Sequence, residues 1–193
     1  MKRLPLLLAA GLALLLLGAS PTWADTVRYP LGPSHGHISF KASSRLVDAD
    51  GRFHRFGGEV RMDPKALEQA MVSLAIDAAS VDTDILRRDD HLRSEDFFHV
   101  TRFPQITFTS RRVALANGKV LITGDLTLRG VSREVTVPVD LELSAGVLRA
   151  RGEFTIRMSE YGMTYRSWFN PLRDEVRIFF DLGGVPAPSG SPS

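Results

Sequence analysis

The feature that most constrains the fold is a pair of consecutive runs that alternate apolar and polar residues. Val135, Val137, Val139, Leu141 and Leu143 alternate with Glu134, Thr136, Pro138, Asp140, Glu142 and Ser144. After Ala145-Gly146, Leu148, Ala150, Gly152, Phe154 and Ile156 alternate with Val147, Arg149, Arg151, Glu153 and Thr155. A period of two places alternate side chains on opposite faces of a pleated strand, so each run is a strand with one buried and one wet face. A turn this short joins only antiparallel partners. Pro138 lacks an N–H, which points to an edge or bulged position.

The same period recurs along the chain. Asp25–Pro33 reads as an entry strand or extended arm. Ile38, Phe40 and Ala42 alternate with His37, Ser39 and Lys41. Gly51–Met62 reads as one long strand, bent or bulged at Gly57-Gly58. Asp63-Pro64 opens a short helix over 65–70, with Asp63 as cap and Pro64 in the first turn. Val72, Leu74, Ile76 and Ala78 form another strand. Ile106 and Phe108 begin the next, which Asn117-Gly118 joins to Val120–Leu128 as the strongest short hairpin signal in the sequence. Gly130 turns the chain again, and Val176, Ile178, Phe180 and Leu182 face one way on a last strand.

About eight or nine strands, several joined by tight hairpins, make a mainly β chain that closes as a barrel or packs as a sandwich. The barrel is preferred because closure removes exposed edges. About eight strands give an interior that either fills with side chains or holds one small ligand.

Two stretches stand outside the pattern. Ile85–Ser110 mixes Arg87, Arg88, Arg93 and Arg102 with Asp89, Asp90, Glu95 and Asp96, then Phe97-Phe98. It reads as a polar plug pinned by aromatics, with Asp84 and Ser94 as candidate caps of two short helices. Met158–Arg173 reads as a long loop carrying Tyr161, Tyr165, Trp168 and Phe169.

At the N-terminus, Lys2 and Arg3 precede the apolar run Leu4–Leu17 and the small-residue context Thr22-Trp23-Ala24. This is a secretory signal peptide over 1–24, shorter than the roughly 20 apolar residues of a bilayer span, with cleavage expected after Ala24. Losing Lys2 and Arg3 from 24 basic residues balances the 22 acidic ones, so the mature chain is formally neutral. No basic stripe marks a nucleic-acid partner. The chain has no cysteine, which excludes thiol catalysis, a lipid-modified N-terminal cysteine and haem attachment. The expectation is a periplasmic or secreted protein, with one domain over 25–183 and a disordered Gly/Pro/Ser tail over 184–193.

Catalytic signals are weak. His35 and His37 flank a glycine, but two ligands do not make a metal site, and none is expected. No nucleophile elbow, zinc-protease helix or phosphate-binding loop occurs. Asp89, Asp90 and His91 could serve a hydrolase, but arginines among them favour an ion-pair network. The apolar inventory is richer. Phe40, Phe53, Phe56, Phe108, Phe154, Trp168 and Ile178 are candidates to line a tube for an aliphatic chain. The same inward face would equally fill the barrel, and alternation alone does not separate the two.

The plug sequence Arg88-Asp89-Asp90-His91-Leu92-Arg93-Ser94-Glu95-Asp96-Phe97-Phe98, followed by Pro104, Ile106, Phe108 and Ser110 at alternate positions, resembles the YceI-like family. Gly51-Arg52-Phe53 with Phe56 and Gly58, Ile76–Thr83, Gly124–Val131, Ser159–Met163 and Asp174–Ile178 extend the similarity over about 29–183. The resemblance implies an extended lipocalin-like antiparallel barrel with short helices capping one end. It also implies an amphiphile-binding role, with polyisoprenoids the usual ligand class. With the apolar inventory and the weak catalytic signals, the expectation is non-catalytic binding, transport or sequestration of a long-chain amphiphile of isoprenoid, quinone or fatty-acyl type in the periplasm, with no other cofactor. One departure is Met158 after Arg157, where the family commonly has a basic residue. Arg88, Asp89, His91 and Ser94 either lock the barrel end or grip a headgroup; paired acids favour the lock. The alternatives to a lipid carrier are a protein-interaction module docking to a membrane redox protein, with a filled barrel and an exposed patch around 161–169, and a hydrolase. A homodimer is left open.

Overall fold

The computed structural model describes residues 26–44, 48–163 and 172–188. Its strands are β1 (Val27–Leu31), β2 (Gly36–Ser44), β3 (Ala49–Phe53), β4 (Phe56–Met62), β5 (Met71–Asp77), β6 (Val81–Asp82), β7 (Gln105–Ala116), β8 (Lys119–Leu128), β9 (Val131–Ser144), β10 (Val147–Arg157) and β11 (Leu172–Gly184). Helix α1 spans Leu86–Arg93. The strands form one sheet in the order β1-β4-β5-β7-β8-β9-β10-β11-β2-β3-β6. Every pairing is antiparallel.

The hairpins form where the turn residues require them. Asn117 and Gly118 take φ of 53° and 74°, and Ala145 and Gly146 take 50° and 78°. Positive φ at both central residues matches the right-handed twist of the flanking strands. Arg129 and Gly130, at 52° and 73°, make a third such turn between β8 and β9.

The sheet curls because its two ends share neighbours. The chain runs from β5 through a 3-10 turn at Ala78–Ser80 into β6, so one stretch pairs first with β4 and then with β3. The His54 N–H donates to the Ser80 carbonyl at 3.2 Å, and the Asp77 N–H to the Arg55 carbonyl at 2.9 Å. On the far side the Ala187 N–H donates to the Arg28 carbonyl at 2.8 Å, tying the end of β11 to β1. The inner face is apolar: Ile38, Phe40 and Ala42 of β2, Leu126 and Leu128 of β8, and Val176 and Leu182 of β11 are all buried. Each of these side chains other than Ala42 contributes about 1.5–3 kcal/mol on burial.

The mainly β, barrel-like architecture stands, with eleven strands among the described residues rather than about eight. Gly51–Met62 is two strands, interrupted at His54 and Arg55, and not one strand bent at the glycine pair. Gly58 instead lets two strands approach, since a Cβ there would lie 2.1 Å from the Ser73 carbonyl oxygen. The helix expected after Asp63 is a single 3-10 turn at Leu67–Gln69. The Asp63 carboxylate accepts from the Lys65 N–H at 2.8 Å, a local bond that competes with helix growth. Within the plug, the residue before α1 is Ile85, without a side-chain cap, and Ser94 closes the helix instead of opening a second one. Asp84 has φ of 60° and pairs with Arg52. Leu143, expected inside, is exposed because β9 overhangs β8, whose ladder with it ends at Val120 and Val139. The signal segment 1–24, residues 164–171 with Tyr165, Trp168 and Phe169, and tail residues 189–193 lie outside the described residues.

Candidate ligand-binding cavity

The inner faces of the strands do not meet. They surround a cavity of about 370 Å³ whose wall includes Phe40, Phe53, Phe108, Phe154 and Ile178. Ile38, Leu74, Ile106, Leu141, Val176 and Phe180 join them. Phe56 is buried in the same core but is not part of the cavity wall. Trp168 lies outside the described residues. The aromatic side of the wall is built by register: β2 and β3 bring Phe40 and Phe53 to ring centroids 5.7 Å apart, and Phe98 of the plug meets Phe53 edge-on at 5.7 Å.

A volume of this size lies at the lower end of small-molecule pockets. So apolar a wall suits an apolar guest, whereas water gains little from it.

The plug closes one end. Asp89 is buried and accepts from the Thr83 N–H at 2.8 Å and the Thr83 hydroxyl at 2.6 Å. Arg88 donates from Nε to the Thr83 hydroxyl at 2.8 Å and from Nη2 to the Thr83 carbonyl at 2.9 Å. Thr83 is therefore gripped from two sides. Arg93 donates to the carbonyls of Ala79 and Val81 at 2.9 and 2.8 Å, and Arg129 to those of Glu95 and Phe97. His91 faces Asp96 at 3.1 Å and meets the Phe97 ring edge-on, and the Ser94 hydroxyl donates to the His91 carbonyl at 2.7 Å. Of the lock candidates, Arg88 and His91 reach the cavity wall, while Asp89 and Ser94 lie behind it.

For a hydrolase the arrangement is unhelpful. Asp89 is held by Thr83, Asp90 pairs with Arg93 at 3.1 Å, and His91 turns to Asp96. Among the described residues no group of three or more His, Asp or Glu side chains is placed to hold a metal ion. The exposed patch that a docking module would need around 161–169 does not include Tyr161, which is 1% exposed.

Sequence reasoning missed two contributors. Thr83 sits in the Ile76–Thr83 motif but shows no pattern of its own, because its role depends on α1 folding back over it. The 3-10 turn at Met158–Tyr161 follows β10 and buries Met158, Tyr161 and Met163 against the core, so the segment read as a loop supplies part of the wall. Met158, the departure noted in the sequence, is one of those buried wall residues. The signal was the apolar i, i+3 and i+5 spacing, too short to distinguish from a loop.

The YceI-like domain family matches residues 29–183. Protein YceI of Shigella flexneri is 36% identical over 141 residues, which covers 70% of this chain and 73% of that one. The crystal structure of Burkholderia cenocepacia BcnA is similar with a TM-score of 0.72 and 30% identity, covering 78% of this chain and 96% of that one. A polyisoprenoid binding domain from Saccharophagus degradans shares the fold, with a TM-score of 0.65 at 18% identity over 82% of this chain and 98% of its own.

Proposed function

The chain belongs to the YceI-like family, and from that premise we propose that it binds a long-chain amphiphile, of isoprenoid, quinone or fatty-acyl type, without transforming it. The observation that carries this reading is the apolar cavity of about 370 Å³ inside the curled sheet. The likeness to a solved polyisoprenoid binding domain supports the same ligand class. Ten methylenes placed there would contribute about 8 kcal/mol gross, enough to outweigh moderate association costs without a directed polar contact. Export by the N-terminal signal segment would put the protein in the periplasm, where a chain dissolved in no membrane needs shelter from water. In this reading Arg88, Asp89, His91 and Ser94 are a lock on the barrel end, since their hydrogen bonds go to Thr83, Asp96 and neighbouring carbonyls.

The test is solvent extraction of the protein purified from a bacterial periplasm, followed by mass spectrometry of the extract. One amphiphile in near-equal proportion to the chain supports the reading. An extract without enriched lipid, from protein shown to be folded, counts against it.

A further inference from the structure

The cavity is bounded lengthwise. At one end stands the plug, whose Arg88, His91, Leu92, Phe97 and Phe98 face it. At the other end the chain between β4 and β5 folds over the barrel. The 3-10 turn at Leu67–Gln69 packs on β7, and Leu67 and Ala70 join the wall.

The rest of that end is closed by register. Inward positions recur at every second residue of a strand. The wall runs out at Leu31 on β1, Ala150 on β10 and Leu182 on β11. The next inward residues on these strands are Tyr29, Leu148 and Gly184. Leu148 stands opposite Gly184 in the ladder, and a Cβ on Gly184 would lie 2.9 Å from the Tyr29 Cβ. The three therefore meet. Tyr29 and Leu148 are buried, yet neither borders the cavity, so they form a floor behind it.

Such boundaries set a capacity. An apolar cavity of about 150 Å³ takes one benzene, six carbons. In the same proportion, about 370 Å³ takes about fifteen carbons. The ends do not readily give more room. Thr83 ties the plug to Asp89 and Arg88, and the floor is close-packed. Extra carbons forced into a packed interior cost strain.

We propose that the barrel measures its guest: it holds one single-chain amphiphile of about fifteen carbons, the size of about three isoprene units, and selects against longer polyprenyl chains and two-chain lipids. The inference rests on the amphiphile-binding reading and adds the size class of the guest. It differs from that reading in what can break it, because a barrel that binds any chain length still binds amphiphiles.

The experiment offers delipidated protein an equimolar mixture of four prenols dispersed in phosphatidylcholine vesicles. These are farnesol, geraniol one isoprene unit shorter, geranylgeraniol one unit longer, and the much longer solanesol. Mass spectrometry counts the prenols that leave the vesicles with the protein. In the bilayer every carbon is already out of water, so each carbon left protruding from the barrel lowers occupancy about fourfold. Geranylgeraniol with only half its extra unit outside should therefore fall at least about tenfold below farnesol, and solanesol further. Geraniol should also rank below farnesol, because it leaves about a third of the cavity without contacts. The Leu148→Ala variant removes part of the floor, and in its folded form should narrow the gap between farnesol and geranylgeraniol at least threefold. Geranylgeraniol or solanesol bound as well as farnesol, or geraniol bound best, overturns the size limit while the amphiphile reading stands. A folded Leu148→Ala protein with an unchanged gap overturns it too, and if that variant does not fold, the ranking on the parent protein decides alone. Failure of all four prenols to bind overturns the amphiphile reading and this one with it.

Discussion

Asp89 and Thr83 are joined by two hydrogen bonds, at 2.8 Å from the Thr83 N–H and 2.6 Å from its hydroxyl, and both residues are buried. The pair fastens α1 to the strand before it. Asp89→Ala leaves both donors without an acceptor, at a cost of about 3 kcal/mol. Asp89→Asn keeps an acceptor oxygen in place and should cost less. Urea unfolding of the three proteins checks the order. If Asp89→Ala unfolds at the same midpoint as the parent, the plug is not a lock.

The Asp82 carboxylate should set part of the acid limb of stability. The His54 imidazole at 2.6 Å, then the Asp84 N–H, and Arg52 as well, hold its pKa down from 3.8 to about 2, against desolvation. Because the folded pKa is depressed, the contribution is complete above the unfolded value and disappears as pH falls through the folded one. Stability should therefore drop between about pH 4 and pH 2. Asp82→Asn should flatten that part of the profile. The check is a series of denaturant melts across the window, and identical acid limbs for the two proteins would refute the assignment.

The adjacent glycines Gly57 and Gly58 should behave oppositely. A Cβ on Gly58 meets the Ser73 carbonyl oxygen at 2.1 Å and the Leu74 Cα at 2.9 Å, both backbone atoms that cannot swing aside. Gly58→Ala should cost about 1–3 kcal/mol as an overpacked site. A Cβ on Gly57 finds only the Leu31 carbonyl oxygen, at 4.0 Å. Gly57→Ala should be neutral or stabilising by about 0.5 kcal/mol through the unfolded chain. Thermal unfolding distinguishes them.

The alternating runs made most of the barrel legible. Val135–Val139 and Leu148–Ile156 carry a period that only a half-buried strand satisfies, and Asn117-Gly118 and Ala145-Gly146 name their own turns. What escaped depends on contacts distant in sequence. The break at His54 and Arg55 arises because β3 and β4 pair with different strands, one with β2 and β6 and the other with β1 and β5. Nothing local to Gly51–Met62 records that. Phe56 has the size and position of a lining residue, yet it packs within the wall and not at its inner surface. The parting of β9 and β10 was hidden for a related reason. Pro138 announced an irregularity in β9, but its consequence appears only where β10 departs from it at Gly152.

The most direct test of the account is native mass spectrometry of the delipidated protein offered a mixture of prenols and quinones, with Ala150→Phe as control. Ala150 lines the cavity, so a phenyl group there would take up space that the guest needs. One amphiphile per chain is expected on the parent protein, and none on a folded Ala150→Phe variant whose thermal midpoint is not lowered. A parent protein that takes up no amphiphile, or an equal load on both proteins, would contradict a ligand held inside the barrel.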